Sequence, residues 1–253
     1  MNGKKIRSCA VLLVMAVSVG AQEKPMDLYL LIGQSNMAGR GTVEEQDRKV
    51  NPRVLTLSKD NQWVPAVDPI HFDKSAAGVG PGRSFGLAMA EHDSSAMIGL
   101  IPCAVGGTSI TVWVPGAANK KGNAHPYDDM LVRLRKAQEH GTVKGIIWHQ
   151  GESDGRRISK YMERLAELIA RLREEVGNPE LPFVAGLIEM DNRDGKEPRA
   201  INKVIIELPD VVPHTAVASS EGLLTTDGTH FDSKSAREFG KRFAQKMIRL
   251  REQ

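Results

Sequence analysis

Short apolar runs alternate with amphipathic stretches along most of this 253-residue chain, and that alternation constrains its fold more than any other feature. Residues 28–32, 97–101, 143–148, 183–188 and 215–218 are short apolar runs marked off by glycine or proline, the pattern of buried strands. Between them, residues 83–92, 127–140, 159–176 and 199–208 carry helical spacing. In the third of these, Tyr161, Leu165, Leu168, Ile169 and Leu172 fall on one face, opposite arginines and glutamates. Residues 232–251 close the chain as a last helix, with Ala236, Phe239, Phe243, Met247 and Leu250 inward. Strands alternating with helices predict an α/β fold with a mostly parallel sheet covered on both faces. In such folds ligands bind beyond the carboxyl ends of the strands. The stretch from 39 to 82, rich in Gly and Pro, is the least regular and is expected to wrap that rim.

The first 21 residues stand apart. Lys4, Lys5 and Arg7 precede an apolar run over 10–19, and small residues close it at Ala21, the layout of a secretory signal peptide. The apolar run is too short to span a bilayer comfortably, although a retained anchor is the alternative. The expected protein is therefore secreted or periplasmic, with one domain over residues 22–253. Those 21 residues hold three of the 34 basic side chains and none of the 31 acidic ones, so the remainder is balanced. A basic surface for nucleic acid or an anionic membrane is not supported. Cys103 is the one cysteine beyond the leader, which rules out an internal disulfide there and reads as a buried small residue.

The chemistry lies at the ends of the runs. Ser35, in Gly33-Gln34-Ser35-Asn36-Met37, follows the first strand at a turn that Gly33 permits. A serine there caps a helix or acts as a nucleophile. Asp227-Gly228-Thr229-His230 supplies the complement: the carboxylate can hold one ring nitrogen while the other faces a serine hydroxyl. Asp232 is the better cap for the final helix. Gly106-Gly107 follows the second strand and permits close backbone approach, with Gly106 and Gly107 both open as oxyanion donors. Gln150 follows the third strand and offers an amide as a further donor. Gln34, Asn36, His149, Glu152 and Arg83 are candidate supporting or substrate-binding residues, and Glu152 is a second carboxylate able to share the role of Asp227.

Other chemistries fit less well. His149 and Glu152, with His125 and His230, invite a metal, but no H-E-x-x-H pattern exists and one cysteine excludes cysteine-rich zinc sites. No metal or other cofactor is expected. Gly78-Val79-Gly80-Pro81-Gly82-Arg83 lacks the Lys-Ser/Thr of a phosphate loop and reads as a turn into a helix. His71, His92, His140 and His214 read as surface or packing residues. Trp63 and Trp113 are candidates for stacking on a sugar, against the plainer reading of packed tryptophans.

These motifs together resemble the SGNH-type hydrolases, and among them the sialate O-acetylesterase-like group that includes carbohydrate esterase family six. The matches are the run from Leu30 to Gly39, Gly106-Gly107-Thr108-Ser109-Ile110, Trp148-His149-Gln150-Gly151-Glu152-Ser153-Asp154 and Asp227-Gly228-Thr229-His230-Phe231. Gly80-Pro81-Gly82-Arg83-Ser84-Phe85 also looks like a family block. The resemblance implies a three-layer, flavodoxin-like α/β/α sandwich and metal-free removal of acetyl groups from the hydroxyls of an acetylated oligo- or polysaccharide. It implies Ser35 as nucleophile, His230 as general base, Asp227 as its partner, and the Ser35 N–H, Gly107 N–H and Gln150 as oxyanion hole. Many SGNH enzymes carry Asn where this chain has Gln150. Acetylated xylan, acetylated sialic acid and smaller acetylated glycosides are all open as substrates. The rival readings are a sugar-binding protein without turnover, against which the complete Ser-His-Asp set argues, and an esterase for another short acyl group.

Overall fold

The computed structural model describes residues 25–155, 158–189 and 200–253. The predicted signal peptide lies outside them. Strand β1 (Met26–Gly33) is apolar almost throughout because both of its faces are covered. Leu28, Leu30 and Ile32 enter one core; Tyr29 and Leu31 enter the other. A short helix α1 (Ser35–Ala38) follows directly. The chain then forms a hairpin, β2 (Val54–Leu57) and β3 (Trp63–Pro65), before helix α2 (Pro81–His92) and β4 (Ile98–Pro102). Helix α3 (Pro126–Gln138), β5 (Gly141–His149), α4 (Tyr161–Val176) and β6 (Phe183–Gly186) come next. Two short helices, α5 (Ala200–Ile206) and α6 (Leu208–Val211), lead to β7 (Thr215–Ala218) and the long α7 (Ser233–Arg251).

The seven strands are ordered β3-β2-β4-β1-β5-β6-β7, parallel except for β3. Setting the hairpin aside, the order is that of the flavodoxin-like sheet. One core packs Tyr127, Met130 and Leu134 of α3 with Leu165, Leu168 and Leu172 of α4 against the sheet. The other packs Phe85 and Met89 of α2 with Phe239, Phe243 and Met247 of α7. These are the three layers expected.

This order places the site. Because β1 lies between β4 and β5, the loops leaving all three carboxyl ends sit side by side, at the point where the connections diverge. The hairpin is the main addition to the sequence reading. Residues 39–82 are not merely a wrap: Val54 and Leu57 are buried, and β2 extends the parallel sheet beside β4. Two strands of four and three residues carry too little periodicity to stand out among turn residues.

Candidate active site

The site begins where β1 ends. Gly33 has φ of 131°, and a Cβ there would lie 2.1 Å from the His149 carbonyl oxygen. Only glycine lets β1 turn so close to β5. The Gln34 N–H donates to that same oxygen at 2.9 Å, and Ser35 opens α1, buried apart from 7% of its surface. His230, from the loop before α7, brings Nε2 to 3.1 Å from Ser35 Oγ. Its Nδ1 lies 2.7 Å from Asp227 Oδ2. A carboxylate only accepts, so Nδ1 carries the proton and the Nε2 lone pair faces the serine hydroxyl. The other Asp227 oxygen accepts the backbone N–H groups of Thr229 at 3.0 Å and His230 at 2.7 Å. The ring and backbone bonds from His230 hold the Asp227 carboxyl down at about 2.

Asn36 fixes the loop that carries His230. Its Nδ2 donates to the Thr229 carbonyl at 2.9 Å, and its Oδ1 accepts the Phe231 N–H at 3.0 Å, so it grips the residues on either side of the histidine. Asn36 Nδ2 also donates to Glu152 Oε1 at 2.7 Å. Glu152 therefore orients Asn36, and Asp227 is the carboxylate bonded to the His230 ring. Beneath them His149 is fully buried, edge-on to Phe231 and Phe239, with Nε2–H donated to the Leu187 carbonyl at 3.1 Å. Burial pushes the His149 pKa down, so it serves as a neutral packing residue below the site.

The second rim element is the loop after β4. Val105 N–H donates to the Gly33 carbonyl at 3.0 Å, which fastens this loop to the end of β1. Gly106 N–H is engaged by Asp73 Oδ2 at 2.9 Å. Among the described residues Gly107 N–H has no protein acceptor, so of the two glycines left open by the sequence Gly107 has the free donor.

Gln150 departs from the expectation. It is fully buried, and its Nε2 faces Asp154 Oδ2 at 2.5 Å, the Thr108 carbonyl at 3.1 Å and Gln34 Oε1 at 3.3 Å. Two hydrogens already serve three acceptors, which leaves none for a substrate oxygen. Its amide ties the loop after β5 to the loop after β4. Arg83 also departs: it is buried in α2 and donates to the carbonyls of Ala66 at 3.0 Å and Lys49 at 2.5 Å, bracing the segment before the helix. Trp113 is fully buried against Trp148, and Trp63 sits on β3 beside the Met26–Gly141 end of the sheet, opposite the rim. The plainer reading holds for Trp113, whereas Trp63 is partly buried against the core and lines a cleft away from the rim. His71 is buried, and desolvation lowers its pKa to about 4.

Sequence reasoning assigned no role to Arg40, Asp73, Lys74, Ser109 or the buried Asp154. Asp154 accepts Ser109 Oγ at 2.5 Å and the Ile110 N–H at 2.9 Å. Asp154 lies within a recognised motif, but Ser109 and Ile110 are 45 and 44 residues away from it and no local spacing announces those two partners. A groove of about 650 Å³ opens beside Gly107 and Glu152, lined also by Thr108, Ser109, Thr111, Asn119 and Lys120. Among the described residues no three His, Cys, Asp or Glu side chains converge as metal ligands.

Residues 25–249 match the model of the family described as carbohydrate esterase, sialic acid-specific acetylesterase. A probable carbohydrate esterase of Arabidopsis thaliana is 36% identical over 183 residues, which span 63% of this chain and 68% of the plant protein. An Arabidopsis thaliana protein solved by X-ray crystallography superposes with a TM-score of 0.77 at 29% identity, covering 89% of this chain and 99% of that one. NanS, with a TM-score of 0.73 at 15% identity over 90% of this chain and 99% of its own, shares the fold. A carbohydrate acetylesterase from Xanthomonas citri does so too, with a TM-score of 0.70 at 22% identity over 88% of this chain and 56% of its own. The chain thus belongs to the carbohydrate esterase, sialic acid-specific acetylesterase family and is an enzyme of the carbohydrate acetylesterase class.

Proposed function

We propose that this enzyme is a metal-independent serine esterase that removes O-acetyl groups from carbohydrate hydroxyls through an acetyl-serine intermediate. The observation that carries the reading is the continuous relay from Asp227 Oδ2 to His230 Nδ1 at 2.7 Å and from His230 Nε2 to Ser35 Oγ at 3.1 Å. Both contacts are within reach for proton transfer. Ser35 Oγ attacks the acetyl carbonyl as its proton passes to His230, whose positive charge Asp227 balances. The backbone N–H groups of Ser35 and Gly107 receive the oxyanion. The tetrahedral adduct collapses, the C–O bond to the sugar breaks, and the departing oxygen takes the proton from His230. Water, deprotonated by His230, then attacks the acetyl-serine and releases acetate, returning the proton to Ser35.

The groove favours a polar alcohol half over a long acyl chain, because polar side chains including Thr111, Asn119 and Lys120 line it beside Gly107 and Glu152. The proposal includes secretion of the mature chain and a glycan met outside the cytoplasm, on the strength of the N-terminal 21 residues.

The test is acetate release from an aryl acetate and from acetylated xylo-oligosaccharides and acetylated sialic acid, with and without a chelator. Wild type is expected to be active in both conditions. Ser35→Ala should lose at least about 10³-fold in kcat. Activity that survives in Ser35→Ala would remove the nucleophile from the mechanism, and activity abolished by the chelator would remove metal independence. A folded wild type inactive on every acetyl ester would favour the sugar-binding reading.

A further inference from the structure

We propose that Asp73 and Lys74 are positioning residues that hold the Gly106–Gly107 peptide in the orientation an oxyanion requires, an inference that rests on the serine-esterase reading. The carbonyl of Gly106 and the N–H of Gly107 belong to one planar trans peptide and point in opposite directions. Lys74 Nζ donates to that carbonyl at 3.0 Å. Fixing the oxygen from the outer side fixes the hydrogen on the other.

The neighbouring peptide is held in the same way. Asp73 Oδ2 accepts the Gly106 N–H at 2.9 Å, and Thr108 Oγ1 donates to the Val105 carbonyl at 2.7 Å. Two consecutive side chains thus grip the N–H and the carbonyl of a single glycine. Asp73 is itself anchored by Arg40 at 2.7 Å, with its side chain only 1% exposed.

Such a grip has a physical purpose here. Two adjacent glycines put no Cβ in the way of peptide rotation, and Gly107 sits at φ of 81°. Backbone sterics alone do not choose between the two faces of the peptide. A Cβ on Gly106 would lie 2.5 Å from Arg40 Nη2 and 2.8 Å from Asp73 Oδ2, so a side chain there would push the clamp away from the peptide. Among the described residues Lys74 makes no ion pair, and its charge acts on the peptide, drawing electrons toward the Gly106 oxygen and strengthening Gly107 N–H as a donor.

The experiment compares wild type, Lys74→Met, Lys74→Arg and Ser35→Ala for kcat and KM on an aryl acetate and for inhibition by methylboronic acid. That probe adds to the serine hydroxyl, whose proton passes to His230, and forms a tetrahedral anion with an oxygen in the hole. Lys74 is exposed, so its replacement leaves folding unaffected, which thermal unfolding checks. Lys74→Met is expected to lower kcat by about tenfold to a hundredfold with KM nearly unchanged, since a displaced donor fails chiefly in the transition state. Boronate affinity should fall with it, and Lys74→Arg should recover most of both. Unchanged kcat in Lys74→Met beside an inactive Ser35→Ala would overturn the clamp and leave the esterase reading standing. A loss confined to KM would assign Lys74 to substrate binding and also overturn it. An active Ser35→Ala would remove the esterase reading and the clamp together.

Discussion

At the scale of single residues, Asp227 and His230 divide the pH behaviour between them. Three hydrogen bonds depress the Asp227 carboxyl to about 2, so it stays ionised through the whole range in which the fold is usable. Its stabilising contribution is present above the ordinary aspartate value and is lost only as pH falls toward about 2. Any loss of activity between neutrality and about pH 4 therefore does not come from protonation of Asp227. Asp227→Asn places an amide against Nδ1 and favours the wrong tautomer. It should lower kcat by about 10³–10⁴-fold while leaving the unfolding midpoint little changed. The motif spacing suggested this pair, but not the work of Asn36, whose bonds reach Thr229 and Phe231 almost two hundred positions away.

At the scale of elements, the crossing of α2 and α7 decides how firmly the His230 loop is seated. Gly240 lies where α7 passes α2, and a Cβ there would come within 2.0 Å of Ser84 Oγ and 2.2 Å of the Pro81 carbonyl. Helix propensity alone favours Gly240→Ala by about 1 kcal/mol. Contact with backbone at that distance cannot be relieved by a side-chain rotation, so packing wins and the sign reverses. Gly240→Ala should destabilise by about 1–3 kcal/mol, read from the denaturant midpoint, and an unchanged or raised midpoint would show the helices free to separate. The amphipathic faces of α4 and α7 were legible because burial on one side repeats every three to four residues. The β2–β3 hairpin was not, because Val54 is buried in the core that α2 packs and Leu57 in the core that α3 packs, rather than through any periodicity of their own.

At the scale of the whole molecule, the segment between α1 and α2 is joined to the body through buried charge. Burial raises the Asp68 carboxyl to about 7, against the opposing pull of the Arg83 guanidinium. A carboxyl raised in the fold favours folding when protonated: that contribution is complete below about pH 4 and is lost as pH rises through about 7. Asp68→Asn should therefore gain stability relative to wild type between about pH 5 and about pH 8, by a few kcal/mol at most. Equal pH dependence in urea unfolding of the two proteins would show that Asp68 is ionised in the fold without cost. The sequence by itself determined the parallel sheet, the two helical layers and the three residues of the relay, because periodic burial and short motifs are local properties of a chain. Only the tertiary structure decided which donors are free. Gln150 and Gly106 were as eligible as Gly107 until Asp154 and Asp73 were found to occupy their hydrogens. A hydrogen bond is spent on whichever acceptor the fold brings within reach, and that acceptor need not be near in sequence.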